Sequence, residues 1–387
     1  MTLFYLGFAV PESEVDILYK DERPAVQTVN FSNRFRRALQ KIDADLINFY
    51  AYPIQNYPKH SSFFSSGAHI GCDVRLTFIN FIILKHLTRF FSLVFSFFRI
   101  MKKPDSVVVH GLHSPYLLAA LLLKVLGAKV FVVITDPPGV ILKSDSSLAR
   151  FLKLVDKKFV FSMLSFFNGA VILSENIRNF VPNIKVVTIN SIIDDAQIFP
   201  EDLRIKENLG EIRMVYGGSL DAIYGVDNII KLAEVLEGSN VKIDVYGSGH
   251  EEGKLIKACS RIKSLSYYGF LPYDDFKNRL TNYDLLLNLR VVDCDESKFS
   301  FPSKLSEAVM LGVPVLTTPV SSLERDVDSP FYITKSDSLD DILDKLNIFF
   351  ELSEPQKRIN LYNSQLQLLE QYSVTSVANK LSIFFKE

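Results

Sequence analysis

The sequence predicts an α/β protein built from two doubly wound domains, and three features carry that prediction. Short β-branched or leucine-rich runs alternate with segments of helical period. Many of the runs stop at glycine. The connections between them are short, as in parallel sheets covered on both faces. The 387 residues are enough for two or three domains, and 48% hydrophobic against 22% charged residues is a globular balance with ample core.

The second half has the clearer rhythm. "RMVYGG" (213–218) is a buried strand closed by glycines, and "VDNIIKLAEVLEG" (226–238) has apolar residues at helical spacing and a glycine stop. "VKIDVYGSG", "SLSYYGFLP" and "DLLLNLR" read as strands, with "EEGKLIKACSRI" and "YDDFKNRLTNY" as helices between them. In "KFSFPSKLSEAVMLGVPVLTTP" (298–319) a loop leads into a short helix, a stop at Gly312 and Pro314, and a buried strand. The first half repeats the theme with a strand at residues 3–6, "SVVVHGLH", "SPYLLAALLLKVLG", "KVFVVITDPPG", "GAVILSENIRNFV" and "IKVVTINSI". Residues 52–75 are turn-rich and poorly patterned, residues 190–211 read as a linker, and the tail from residue 373 reads as an amphipathic helix. The domains expected are 1–195, 196–370, and 371–387 as a helix returning to the first.

Charge divides at the same place. Residues 1–195 hold 22 basic and 15 acidic side chains, a net +7, and the remainder 21 and 29, a net −8. The three cysteines are far apart without a Cys-x-x-Cys pair, so neither a zinc site nor a disulfide framework is expected, and a reducing cytoplasm is the default. The N-terminus lacks the basic start and apolar run of a signal peptide. Residues 78–103 form the oiliest stretch, but Lys85, His86 and Arg89 interrupt it short of the roughly 18 apolar residues of a membrane span. Its phenylalanines, with Lys85, Arg89, Arg99, Lys102 and Lys103, suit either a core helix or a helix lying on an anionic membrane. Nothing resembles an aromatic-basic array for nucleic acid.

The residues that could carry chemistry cluster around the helix that opens at Pro302 and stops at Gly312. Pro302 suits its first turn, and Ser303, Lys304 and Glu307 share a face. A helix N-terminus favours phosphate, Lys304 adds a full charge, and Glu307 can accept hydrogen bonds from a ribose diol. Together these describe a nucleoside diphosphate site; the competing reading is a surface Lys304–Glu307 pair worth about 0.3–0.5 kcal/mol. Arg290, ending a strand, is a second phosphate candidate. Gly217 and Gly218, between strand and helix, would let a phosphate or sugar approach the backbone, or simply form a tight turn. Gly247 opens a weaker Gly-x-Gly without the rest of a dinucleotide fingerprint. In the first half Asp136 ends a strand and could take a proton or balance a developing positive charge, or merely shape the turn before Pro137. His110 and His113 read as structural.

The motifs "LLLNLR", "FPSKLSEAVMLGVPVLTT", "VYGGSLDAIYGVDNIIKLAEVL" and "VYGSGHEEGKL" resemble the donor-site signature of glycosyltransferase family 4 and related bacterial polysaccharide glycosyltransferases, over most of residues 212–320. The resemblance implies a GT-B fold, two Rossmann-like domains facing across a cleft. It implies metal-independent transfer with retention, and a nucleotide sugar, most plausibly a UDP-sugar, as substrate with no cofactor. On it, Glu307 is the ribose-binding second acid of E-x7-E, the backbone at Ser303 and Lys304 holds the diphosphate, and the loops at Gly247 and 268–271 flank the base. The sequence departs from the pattern in three places. Phe299 stands where the first acid belongs, leaving Glu296 as the candidate to reach the sugar hydroxyls. Ser219 and Tyr224 stand where many relatives carry a basic pair, and Lys304 and Arg290 could supply that charge. Asp136 stands where relatives carry a cleft histidine. The expected partners are the donor and a carbohydrate or lipid-linked acceptor, with peripheral membrane contact. An inactive GT-B subunit and a sugar-nucleotide epimerase are the alternatives.

Overall fold

The computed structural model describes residues 1–20, 26–42, 45–67, 71–137, 147–196, 210–299, 301–320 and 329–386. The chain divides into two compact units, Met1–Asp194 with Tyr372–Glu387, and Asp195–Gln371.

The first unit contains strands β1 (Thr2–Gly7), β2 (Asp45–Tyr50), β3 (Phe63–Phe64), β4 (Asp73–Arg75), β5 (Phe78–Ile79), β6 (Ser106–His110), β7 (Lys129–Ile134), β8 (Gly169–Ile172) and β9 (Lys185–Thr188). Helices α1 (Val26–Gln40), α2 (Ile82–Ile100), α3 (Ser114–Val125) and α4 (Ser147–Leu164) connect them. Seven strands form a parallel sheet in the order β4-β2-β1-β6-β7-β8-β9, and β3 pairs with β5 as a separate antiparallel ribbon. The strand runs "TLFYLG", "SVVVH" and "KVFVVI" are buried almost throughout, as strands covered on both faces must be. The turn-rich stretch 52–75 thus contains an edge strand, Asp73–Arg75, too short for alternation to reveal.

The second unit begins with β10 (Ile212–Ser219), α5 (Val226–Val235), β11 (Val241–Ser248), α6 (Glu252–Cys259), β12 (Leu265–Tyr267) and α7 (Tyr273–Leu280). There follow β13 (Leu285–Asn288), α8 (Asp295–Phe299), α9 (Lys304–Met310), β14 (Val315–Thr317), β15 (Tyr332–Ile333), α10 (Leu339–Glu351) and α11 (Glu354–Tyr372). Its six strands are parallel in the order β12-β11-β10-β13-β14-β15. The chain runs outward from β10 through β11 and β12, then returns to pair β13 on the other side of β10. The topological switch point, where open α/β sheets take their ligands, is therefore at the carboxyl ends of β10 and β13.

The last helix, α12 (Val374–Lys386), belongs to the first unit. Val374, Val377, Leu381, Phe384 and Phe385 of α12 join the core formed by β1, α1 and β7, with Phe385 packed on Phe131 at 4.6 Å between ring centroids. The linker read at 190–211 falls partly outside the described residues.

Candidate donor site in the second unit

Four of the residues picked from sequence meet at the switch point of the second sheet. Gly217 and Gly218 end β10, Arg290 follows β13, and Lys304 opens α9. The Lys304 ammonium reaches back 87 residues to donate to the Gly217 carbonyl at 3.0 Å, and lies over the Tyr216 ring, 4.6 Å from its centroid. The Arg290 guanidinium lies over the Tyr224 ring at 4.9 Å, and the Arg290 carbonyl is fixed by the Thr318 hydroxyl at 2.8 Å. Among the described residues no ion pair joins Lys304 to Glu307. The lysine turns inward to the glycines.

Lys304 and Arg290 are both partly buried, and their like charges repel. Burial, then the charge of Arg290, lowers the Lys304 pKa to about 7 from 10.5. Burial likewise lowers that of Arg290. Between pH about 7 and 10.5 the folded chain binds one proton fewer at Lys304 than the unfolded chain does, so this group's contribution to stability rises with pH across that window. Below about 7 the folded state carries a charge it disfavours. Such a site gains from any dianion that binds between the two cations.

The glycines acquire more specific reasons than ligand approach. Gly218 has φ +156°, and a Cβ there would sit 3.2 Å from both the Lys304 ammonium and the Tyr216 hydroxyl. Gly247 (φ +145°) is its register partner on β11, and a Cβ on it would collide with the Gly218 carbonyl oxygen. A Cβ on Gly217 would enter the Phe276 ring of α7. The two strand ends are thus pressed together by the fold itself, whatever binds above them.

Glu307, half-buried on α9, accepts a hydrogen bond from the Tyr273 hydroxyl at 2.8 Å, which fixes its carboxylate one turn beyond Lys304. The helix starts at Lys304, with Ser303 as its N-cap giving no side-chain cap bond; Pro302 therefore precedes the helix, a correction to the first-turn placement read from sequence. Glu296 lies on the five-residue helix α8, with Phe299 at its end, so the loop expected there is a helical turn. Ser219 donates to Asp221 at 2.7 Å, and Asp221 also holds His250 at 2.6 Å. Burial would raise the Asp221 pKa, but the hydrogen bonds from His250 and Ser219 outweigh it and lower it. Tyr268 stacks on Tyr246 at 5.1 Å and is more than half exposed, offering an open aromatic face.

Asp136 belongs to the first unit. It is exposed at the end of β7, where its carboxylate accepts from the Thr135 hydroxyl at 2.9 Å. The first sheet has its own switch point between β1 and β6, and the residues there are Phe8 and His113, whose rings meet edge-on at 4.7 Å. Sequence reading missed Phe8. It also missed Tyr216 and Tyr273, since a buried strand tyrosine and a helix-start tyrosine give no local sign of a distant lysine or carboxylate. His110 is structural: it is buried, bonded to the Tyr5 hydroxyl at 2.5 Å, and burial lowers its pKa to about 3.

The second unit is also the part of the chain that matches a known family. Residues 199–365 match the family model described as glycosyl transferases group 1. No curated protein sequence matches the chain. Among solved structures, sucrose-phosphate synthase from Thermosynechococcus elongatus superposes over 100% of this chain and 98% of its own, at TM-score 0.67 and 12% identity. Anabaena HepE in complex with UDP superposes over 100% of both chains at TM-score 0.64 and 11% identity. The lipopolysaccharide outer core galactosyltransferase WaaB does so over 100% of both at TM-score 0.62 and 15% identity. The chain therefore has the GT-B fold, and its residues 199–365 are similar to glycosyl transferases group 1.

Proposed function

We propose that the protein transfers a sugar from a nucleotide diphosphate donor, most plausibly a UDP-sugar, to a carbohydrate acceptor. The acceptor class that suits it best is a lipid-linked oligosaccharide of a bacterial surface polysaccharide, met at the cytoplasmic side of a membrane. The observation that carries the reading is the pair of cations, Lys304 and Arg290, held on tyrosine faces at the switch point within the group 1 match. The UDP in the HepE structure and the galactosyl transfer named for WaaB support the donor class.

In this reading the bond between the anomeric carbon and the diphosphate oxygen breaks while negative charge builds on the departing UDP. Lys304 and Arg290 stabilise that charge in the role a metal ion plays elsewhere, and the site is preorganised because both cations are already fixed. Ser303 and Lys304 present backbone N–H groups to the diphosphate, and Glu307, oriented by Tyr273, takes the ribose. Glu296 is assigned to the sugar hydroxyls and Asp136 to the acceptor proton, with retention of configuration. Tyr268 offers a stacking face for the base.

Incubating the chain with a panel of UDP-sugars and candidate acceptors tests this by release of UDP. Release that depends on acceptor supports transfer; conversion of donor without acceptor would favour an epimerase, and no turnover with intact UDP binding an inactive subunit. Glu307→Ala is expected to weaken UDP binding about tenfold, the worth of a charge-assisted hydrogen bond, whereas Glu296→Ala leaves it within about twofold. Calorimetry giving equal affinities for the two variants would remove the ribose role from Glu307.

A further inference from the structure

The first unit carries a surface that the donor chemistry does not use. Helices α3 and α4 connect successive parallel strands in the same direction, so both lie on one face of the sheet, and α2 packs beside α3 in the same layer. The outer side of this layer is apolar. Leu87, Phe91, Phe95 and Phe98 follow one another at helical spacing along α2, and the three phenylalanines are 65%, 68% and 76% exposed. Leu122 and Val125 extend the stripe onto α3, the valine 86% exposed.

The charges of α2 are on the wrong side for a helix facing water. Lys85 and Arg89, which the sequence leaves open between a core helix and a membrane-facing basic set, are 7% and 6% exposed. Their side chains donate inward to the carbonyls of Ile54 at 2.6 Å and Tyr52 at 2.8 Å, and the Arg89 guanidinium packs over Phe78 at 4.4 Å. A helix that hides Lys85 and Arg89 and displays its rings has its apolar side reserved for a partner. The sequence of this part of the chain is predominantly basic, though Asp156 lies on α4. From residue 74 to residue 135 the only acidic residue is Asp105, which is held by the backbone of Thr2. Arg99 and Lys103 are exposed at the carboxyl end of α2, with the Lys103 ammonium beside Gly127 at the end of α3. No described helix is long and apolar enough to cross a membrane, so the surface is suited to lying on a bilayer rather than spanning it.

We propose that the outer side of the α2–α3–α4 layer docks on an anionic phospholipid surface, with Phe91, Phe95 and Phe98 inserted among the acyl chains and Arg99 and Lys103 against the headgroups. Charge complementarity selects this occupant over a second copy of the chain, which would bring two like-charged rims together. The inference rests on the lipid-linked acceptor of the reading above and names the surface that would reach it.

Flotation of the full chain with phosphatidylcholine vesicles, with and without phosphatidylglycerol, tests it. Wild type is expected to float with the anionic vesicles and much less with the neutral ones, with binding weakened by salt. The triple variant Phe91→Ser/Phe95→Ser/Phe98→Ser should bind at least about tenfold less, and Arg99→Glu/Lys103→Glu should lose the preference for anionic lipid. Circular dichroism and UDP binding, measured on the same preparations, establish that each variant is folded. Absence of flotation by folded wild type, flotation indifferent to both variants, or a wild-type dimer that the triple variant dissolves in sedimentation velocity would each overturn the proposal. Because UDP binding is read separately in the second unit, wild type that binds UDP but does not float counts against docking alone, and wild type that floats but does not bind UDP counts against the donor reading alone.

Discussion

Lys304→Met should lower turnover with a UDP-sugar by about 100- to 1,000-fold, the effect of deleting one preorganised group that stabilises transition-state charge, while leaving the protein folded. Two local costs and gains nearly cancel in the variant. Removing the ammonium relieves a charge that burial and Arg290 disfavour, and the methionine retains apolar contact with the Tyr216 ring. Against that, the Gly217 carbonyl loses the donor at 3.0 Å, worth about 1 kcal/mol. The expected result is a near-native Tm with activity almost gone. Activity within a few-fold of wild type would mean that Lys304 is a structural strut between α9 and β10 and that another group faces the leaving diphosphate.

Gly247→Ala should behave in the opposite way, with loss of the folded second unit rather than of chemistry. The glycine has φ +145° and its missing Cβ leaves room for the Gly218 carbonyl oxygen across the β10–β11 pair, which pairs in register over eight residues. Backbone atoms on both sides leave no flexible neighbour to yield. The substitution is expected to cost about 3 kcal/mol, roughly 10 °C in Tm for a unit of this size, read by thermal or urea unfolding. A variant as stable as wild type but weak for UDP would show that this loop is held for its ligand and not for its packing.

The second unit was readable because its signals are local. Strands such as "VKIDVYGSG" end in glycines that the backbone requires, and "VDNIIKLAEVLEG" carries its own period and stop. The first unit was harder because its information is distant. The pattern around Lys85 and Arg89 suits a core helix and a surface stripe alike, and each finds a buried carbonyl more than thirty residues away, at Ile54 and Tyr52. Helical period shows that α2 has two faces but not which one the sheet takes when both are oily. The site divides in the same way. Lys304, Arg290 and the glycine pair could be picked by residue type, but the Tyr216 and Tyr224 faces that hold the two cations could not, and Tyr224 had counted only as a missing charge. Tyr224, which the resemblance sets where relatives carry a cation, lies under the guanidinium of Arg290.

The most direct test follows the charge state of Lys304 itself. In the chain labelled at the lysine side chain, with Lys304→Met identifying its signal, the free protein should show a lysine titrating near pH 7. Saturation with UDP should move that titration upward, since a diphosphate favours the charged form, and UDP affinity should fall by up to about tenfold per pH unit above the free value. A Lys304 titration that UDP leaves in place, with UDP affinity flat between pH 6 and pH 9, would show that the nucleotide diphosphate binds elsewhere.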